Sequence, residues 1–115
     1  DPEDGIISHA NHFDDPGVLG VSEPSNPRRH LSEFRQKRME TLLNEQTPLD
    51  IPDIQNILKD HENKPQSLCR HCDDTLPKSQ QTITKTAMIM DLSEKKMWVT
   101  NGQPCKAEFE VFSFN

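Results

Sequence analysis

Apolar residues are scarce in this chain. Only 31% of its 115 residues are hydrophobic, and the mean hydropathy is −0.84. A self-sufficient globule usually runs at about 45–50% apolar on a count that includes glycine. A short, polar chain has little apolar area to set against its conformational entropy. Either part of it has no order of its own, or it is a piece of a larger fold whose core is completed elsewhere. No apolar run approaches the roughly 20 residues that a membrane span needs, and neither a signal peptide nor a transit peptide is visible. The chain opens on Asp1 rather than methionine, as expected of a fragment or a processed chain. Cysteine is also sparse and odd in number, at three. That is a weak disulfide framework, and it points to a reducing, cytoplasmic setting. Thirteen basic residues face nineteen acidic ones, for a net charge of −6. That sign argues against nucleic acid as a partner, and no membrane partner is expected. No Gly-x-Ser-x-Gly elbow, phosphate loop or His-Glu-x-x-His is present.

What is there falls into three parts. Residues 5–11, "GIISHAN", read as a short strand running into a polar turn. Residues 14–27, rich in Asp, Pro, Gly, Ser and Asn, read as a long loop. "SNPRRHLSEFRQKRMETLLNEQ" predicts a helix, with Asn26 able to cap it and Pro27 suited to its first position. Leu31, Phe34, Leu42 and Leu43 fall near one face, and Arg28, Arg29, Arg35, Lys37 and Arg38 form a solvated basic face. A second helix is expected at "DIPDIQNILKDH", capped by Asp50, with Pro52 in the first turn. Its Ile51, Ile54, Ile57 and Leu58 make an apolar stripe that needs a partner. Residues 61–81 read as an ordered loop around "SLCRHC". Strands are expected at "TITKTAMIMDL", "KMWVT" and "EFEVFSF", with turns at "SEK" and "NGQPC", where Gly102 is free to take a positive φ. The expected fold is therefore α+β: a strand, two helices and a C-terminal antiparallel meander.

Two stretches invite chemistry. In "CRHC", Cys69 and Cys72 have the spacing of half a zinc site. A closed site needs four ligands and there is no second CxxC. Cys105, His61 and His71 complete one only if folding brings them close. A redox dithiol belongs at a strand-to-helix junction, which is not what surrounds this pair. Ordinary reduced cysteines are the remaining alternative. Cys69 has cationic sequence neighbours in Arg70 and His71, but a cysteine nucleophile also needs them to converge on its sulfur. In "SHANHF", Asn11 stands between His9 and His12. An asparagine held at a strand end can aim its amide N–H at a developing oxyanion. Equally, Asn11 can cap a turn while the histidines satisfy backbone groups.

The order "HANHF", "PRRHLSEFRQKRMETLL", "ILKDHENKPQSLCRH" and "TAMIMDLSEKKMWVTNGQPC" is similar to the C-terminal third of the acyl-coenzyme A:isopenicillin N acyltransferase family. The resemblance runs over nearly the whole chain. It implies an αββα sandwich of the N-terminal-nucleophile hydrolase type, of which residues 1–115 would be one segment. It implies self-cleavage that frees a cysteine nucleophile whose own α-amino group acts as base. Asn11 then matches the asparagine that family members place in the oxyanion hole, and His9 and His12 match its supporting flanks. The nucleophile belongs far upstream, and Cys69, Cys72 and Cys105 do not match it. The chain alone is therefore expected to be inactive, with the remainder of the parent protein as its partner. The substrate would be a small amide or acyl thioester, and no cofactor is implied. Gln80 and Gln81 stand where the fungal member has a Ser-Arg pair, so general amide hydrolysis and acyl transfer both remain open rather than penicillin chemistry alone. The alternative from another class is a small zinc-stabilised binding module that uses Cys69 and Cys72 with Cys105 or a histidine.

Overall fold

A computed structural model describes residues 5–12, 14–23, 25, 27–46 and 48–114. The fold is α+β. In chain order it runs α1 (Pro16–Leu19), α2 (Arg29–Glu45), α3 (Ile51–Leu58), β1 (Met88–Asp91), β2 (Lys96–Thr100) and β3 (Phe109–Ser113), with a 3₁₀ turn at Lys78–Gln80. It divides into two compact units, Asp1–Glu45 and Gln46–Asn115.

In the first unit, the segment expected as a strand forms no ladder. Residues 6–10 have no regular secondary structure, yet their burial alternates as in a strand. Ile6, Ser8, Ala10 and His12 turn inward, while Ile7, His9 and Asn11 are exposed. The reason lies in the partner, which is the polar side of α2 rather than another strand. Ser8 Oγ donates to Glu40 Oε1 (2.9 Å), the Ala10 N–H to Gln36 Oε1 (3.2 Å) and the Asn11 N–H to Ser32 Oγ (2.8 Å). The helix partners step by four, from Glu40 to Gln36 to Ser32, as the segment steps by two residues and then by one, from Ser8 to Ala10 to Asn11. Over the first of these steps two residues of extended chain advance about 6.6 Å and four helical residues about 6 Å, so the two rows stay level there.

The stretch 14–27 is not all loop. Asp15 caps α1 by accepting from the Val18 N–H (3.1 Å), Pro16 occupies the first turn, and Gly20 at φ 66° ends the helix. Asp, Pro and Gly here punctuate one helical turn instead of abolishing it. The long helix begins at Arg29, two residues after Pro27; its expected cap, Asn26, lies outside the described residues. Leu31, Phe34, Leu42 and Leu43 are only half-buried, and Ser32 is the one described residue of α2 that is fully buried.

The second unit follows the sequence closely. Asp50 and Asp53 make a reciprocal capping box at the start of α3: the Asp53 N–H donates to Asp50 Oδ1 (2.9 Å) and the Asp50 N–H to Asp53 Oδ2 (3.2 Å). Ile57, on the apolar stripe, is buried. The sheet is the expected meander in order β1-β2-β3, antiparallel throughout. Ile89, Trp98 and Val111 lie across from one another on one face, and Met90, Met97 and Phe112 on the other. On that second face Met88, Met90 and Phe112 are 51%, 60% and 49% exposed, so it is an uncovered apolar surface.

The first expected strand is shorter than its composition suggests. Residues 82–87 precede β1 without joining it, because their polar groups are engaged singly. Thr84 Oγ1 accepts from the Arg70 N–H (2.8 Å), and the Thr86 hydroxyl donates to the Thr100 carbonyl (2.7 Å). Thr100 is 1% exposed and closes the meander. Its Oγ1 accepts from the Ala87 N–H (2.8 Å) and donates to the Gly102 carbonyl (2.7 Å), while Gly102 turns the chain at φ 124°.

Thr100→Val keeps the shape and removes both hydroxyl bonds, leaving a buried N–H unpaired. It should cost about 1–3 kcal/mol, read as a lower urea midpoint of the full protein. An unshifted midpoint would show that Thr100 does not hold the turn.

Candidate functional site

Each unit carries one concentration of chemistry-bearing side chains. In the first it is built around Asn11. The Asn11 N–H is bound to Ser32 Oγ, and Asn11 Oδ1 accepts from Arg35 Nη2 at 2.9 Å. Arg35 and Ser32 project from α2 three residues apart, on neighbouring turns of one face. The backbone and the side-chain carbonyl of Asn11 are thus both fixed. Its side-chain Nδ2 donates to none of the described residues. The bond from Arg35 is charge-assisted and polarises the amide, which strengthens Nδ2–H as a donor. Asn11 is exposed, beside a depression of about 220 Å³ lined by His9, Ala10, Asn11, His12 and Glu23.

His12 is the structural counterpart. It is 8% exposed; Nδ1 lies 2.8 Å from Ser32 Oγ, and Nε2 lies 3.4 Å from Asp14 Oδ1. One proton arrangement satisfies every group: Ser32 accepts from Asn11 N–H and donates to Nδ1, so the imidazole carries its proton on Nε2, toward Asp14. The order carboxylate, imidazole, hydroxyl is that of a Ser-His-Asp relay. It cannot work as one here, because Ser32 is 5% exposed and its oxygen is already occupied by the Asn11 N–H. The chain of bonds fixes a backbone instead. His9 is exposed and its ring lies alongside that of His12, with centroids 6.1 Å apart and planes 20° from parallel. Ser32 and Gln36 have a sequence signal of their own, a polar row at four-residue spacing with Glu40 inside a helix whose apolar face is the more conspicuous; Arg35 lies within the basic face.

In the second unit, residues 65–71 are all buried or half-buried. Ser67 and Cys69 are fully buried and Gln66 nearly so. Backbone groups are tied at each step: Cys69 N–H to the Asp60 carbonyl (3.1 Å), His71 N–H to the Pro65 carbonyl (3.0 Å), and Gln103 Nε2 to the Arg70 carbonyl (2.9 Å). These ties bring four side chains together. His71 Nε2 is 3.0 Å from His61 Nε2, 3.4 Å from Cys105 Sγ and 3.7 Å from Cys69 Sγ. The four ligand atoms of His61, Cys69, His71 and Cys105 all lie within 4.8 Å of one another.

Cys72 does not join them. Its exposed sulfur lies 3.2 Å from Gln81 Oε1 and 3.4 Å from Asp74 Oδ1. The CxxC pair is therefore split, with Cys69 turned inward to the two histidines and Cys72 outward. Burial raises the Cys69 thiol above its ordinary range, with the Cys105 backbone N–H acting in the opposite direction. Loss of hydration and then the Asp74 carboxylate raise Cys72. Neither sulfur has the lowered pKa of an activated nucleophile. Burial, then the charges of Lys64, His61 and Lys106, lowers His71 and keeps its imidazole neutral near pH 7.

Removing the Ser32 hydroxyl strands the Asn11 N–H and His12 Nδ1 together. Ser32→Ala should therefore destabilise the full protein by about 1–3 kcal/mol, measured by denaturant unfolding. Wild-type stability in that variant would mean that the bonds to Asn11 and His12 are not what anchors the segment.

No curated protein matches the chain. A family model described as acyl-coenzyme A:6-aminopenicillanic acid acyl-transferase matches residues 1–106, spanning both the Asn11 segment and the His61, Cys69, His71 and Cys105 cluster. With nearly its whole length matched, the chain belongs to the acyl-coenzyme A:6-aminopenicillanic acid acyl-transferase family.

Proposed function

We propose that this chain is the oxyanion-stabilising part of a cysteine N-terminal-nucleophile acyltransferase or amide hydrolase, and that Asn11 is its donor. The observation that carries the reading is the fixing of Asn11 by α2. Ser32 holds the backbone N–H and Arg35 holds the side-chain carbonyl, which leaves Nδ2–H to donate outward. A donor whose orientation is set in advance needs no reorganisation when charge develops on a carbonyl oxygen, and is worth about 2.7–4 kcal/mol in such sites. The Arg35 guanidinium adds favourable charge behind the amide.

In this mechanism the nucleophile is an upstream cysteine freed at the N-terminus of its own segment. Its thiolate attacks the carbonyl carbon of an amide or acyl thioester. The carbonyl π electrons move to oxygen, and Asn11 Nδ2–H bonds the resulting oxyanion. Collapse expels the amine or thiol, which takes up a proton from the α-ammonium group that first accepted it from the thiol. The acyl group then passes to water in hydrolysis or to an amine in acyl transfer. His9 and His12 support this by holding the shape of the segment, His12 through Ser32 and Asp14. The uncovered Met88, Met90 and Phe112 face supports an αββα architecture in which the remainder of the parent protein packs on this sheet. The 115-residue chain by itself would then have no turnover.

Asn11→Ala in the full protein should lower kcat by roughly 10²–10³ with a much smaller change in KM. Arg35→Ala should lower it less, and the double variant should be no worse than Asn11→Ala alone, since Arg35 acts through Asn11. Unchanged kcat in Asn11→Ala, or fully additive losses, would remove this pair from the mechanism.

A further inference from the structure

We infer that His61, Cys69, His71 and Cys105 form a closed tetrahedral site for a zinc ion, one that ties the loop after α3 to the turn between β2 and β3. The cluster lies within the second unit and takes no part in the reaction proposed for Asn11.

Distances come first. A tetrahedral zinc with Zn–S of about 2.3 Å and Zn–N of about 2.0–2.1 Å sets sulfur and nitrogen about 3.6 Å apart, and two nitrogens about 3.3 Å apart. The observed sulfur–nitrogen separations are 3.4 and 3.7 Å, and the nitrogens are 3.0 Å apart. The three separations from His71 Nε2 thus stand near ligand-to-ligand spacing, and the remaining three are within 4.8 Å.

Hydrogen bonding at His71 Nε2 does not by itself account for the same geometry. His71 Nε2 carries either one proton or one lone pair, yet it faces three polar atoms: His61 Nε2, Cys69 Sγ and Cys105 Sγ. One nitrogen can satisfy only one of them. A cation placed among the four satisfies all of them at once. The His61 and His71 rings meet edge-on at 63°, with their Nε2 atoms toward each other. That suits two imidazoles sharing an ion, and does not suit stacking.

The donor set selects the metal. Two thiolates and two imidazoles at tetrahedral spacing favour zinc over the hard, oxygen-seeking cations. Each cysteine gives up its proton to solvent on binding, so two thiolates neutralise the dication. Four protein donors leave no open coordination position, which makes the site a structural one. It would join three places in the chain: His61, three residues past α3, Cys69 and His71 in the buried loop, and Cys105, more than thirty residues on, after the buried Pro104.

The test uses the full protein, purified in reducing, chelator-free buffer. Elemental analysis should find one zinc per chain that Cys72→Ser retains and that Cys105→Ser and His61→Ala lose. In competition with a chromophoric chelator, each of the latter two should weaken zinc by more than the roughly 10–100-fold typical of changes outside the ligand set. Cobalt(II) should give the intense visible bands of a tetrahedral site with thiolate charge transfer, and Cys105→Ser should cut the charge transfer about in half. His61 is exposed, so His61→Ala keeps the test decisive if a cysteine variant fails to fold. The inference is overturned if the wild type binds neither zinc nor cobalt at these residues, if His61→Ala binds zinc as tightly as wild type, or if Cys72→Ser abolishes binding.

Discussion

Side chains satisfy many of the backbone polar groups that lie outside helices and strands in this protein, and that constraint shapes both units. A chain with so few apolar residues forms a small sheet and few helices, so many N–H and C=O groups lie outside any ladder. Each still needs a partner, because an orphaned buried group costs as much as a lost hydrogen bond or more. Ser32 and Gln36 serve residues 10 and 11, Thr84 serves Arg70, Thr100 serves Ala87 and Gly102, and Gln103 serves Arg70 again. No described buried side-chain nitrogen or oxygen is left without a partner. The architecture is held by amides and hydroxyls as much as by its apolar core of Ile57, Ala87 and Ile89.

The same device produces the candidate chemistry. Asn11 is a positioned donor because α2 presents a hydroxyl and a guanidinium to its two ends. The His61, Cys69, His71 and Cys105 cluster exists because the SLCRH loop is held rigid by the ties at Asp60, Pro65, Thr84 and Gln103. In each case the surrounding polar contacts decide where a reactive side chain points. Membership of the acyltransferase family joins the two clusters in one protein without requiring that they share a task. Among the described residues no helix is long and apolar enough to cross a membrane.

Much of this was legible in the sequence where local rules dominate. The cap at Asp50, the boundaries of KMWVT and the order of the meander follow from capping chemistry and β-propensity, and they appear as expected. The segment at 5–11 shows where that stops. Its extended character was readable, but pairing depends on which element lies alongside, and a polar helix stripe took the place of a strand. Reading α2 by its leucines and phenylalanine hid the side that matters. The cysteines teach a related lesson. CxxC spacing suggests that Cys69 and Cys72 act together, whereas the fold turns them apart and recruits His61, His71 and Cys105 from separate elements. Sequence proximity sets what two side chains could do; tertiary contact decides which of them meet.

The register between residues 6–12 and α2 has an evolutionary corollary. Inward and outward positions alternate along this stretch, and the helix meets it at the fixed positions Ser32, Arg35, Gln36 and Glu40. Swapping one side chain there alters one contact. Adding or deleting a single residue would reverse every side chain beyond it, carrying the asparagine to the helix side and a histidine to the solvent side. The segment should therefore absorb changes of letter far more readily than changes of length, and alignment gaps in related chains should fall on either side of it.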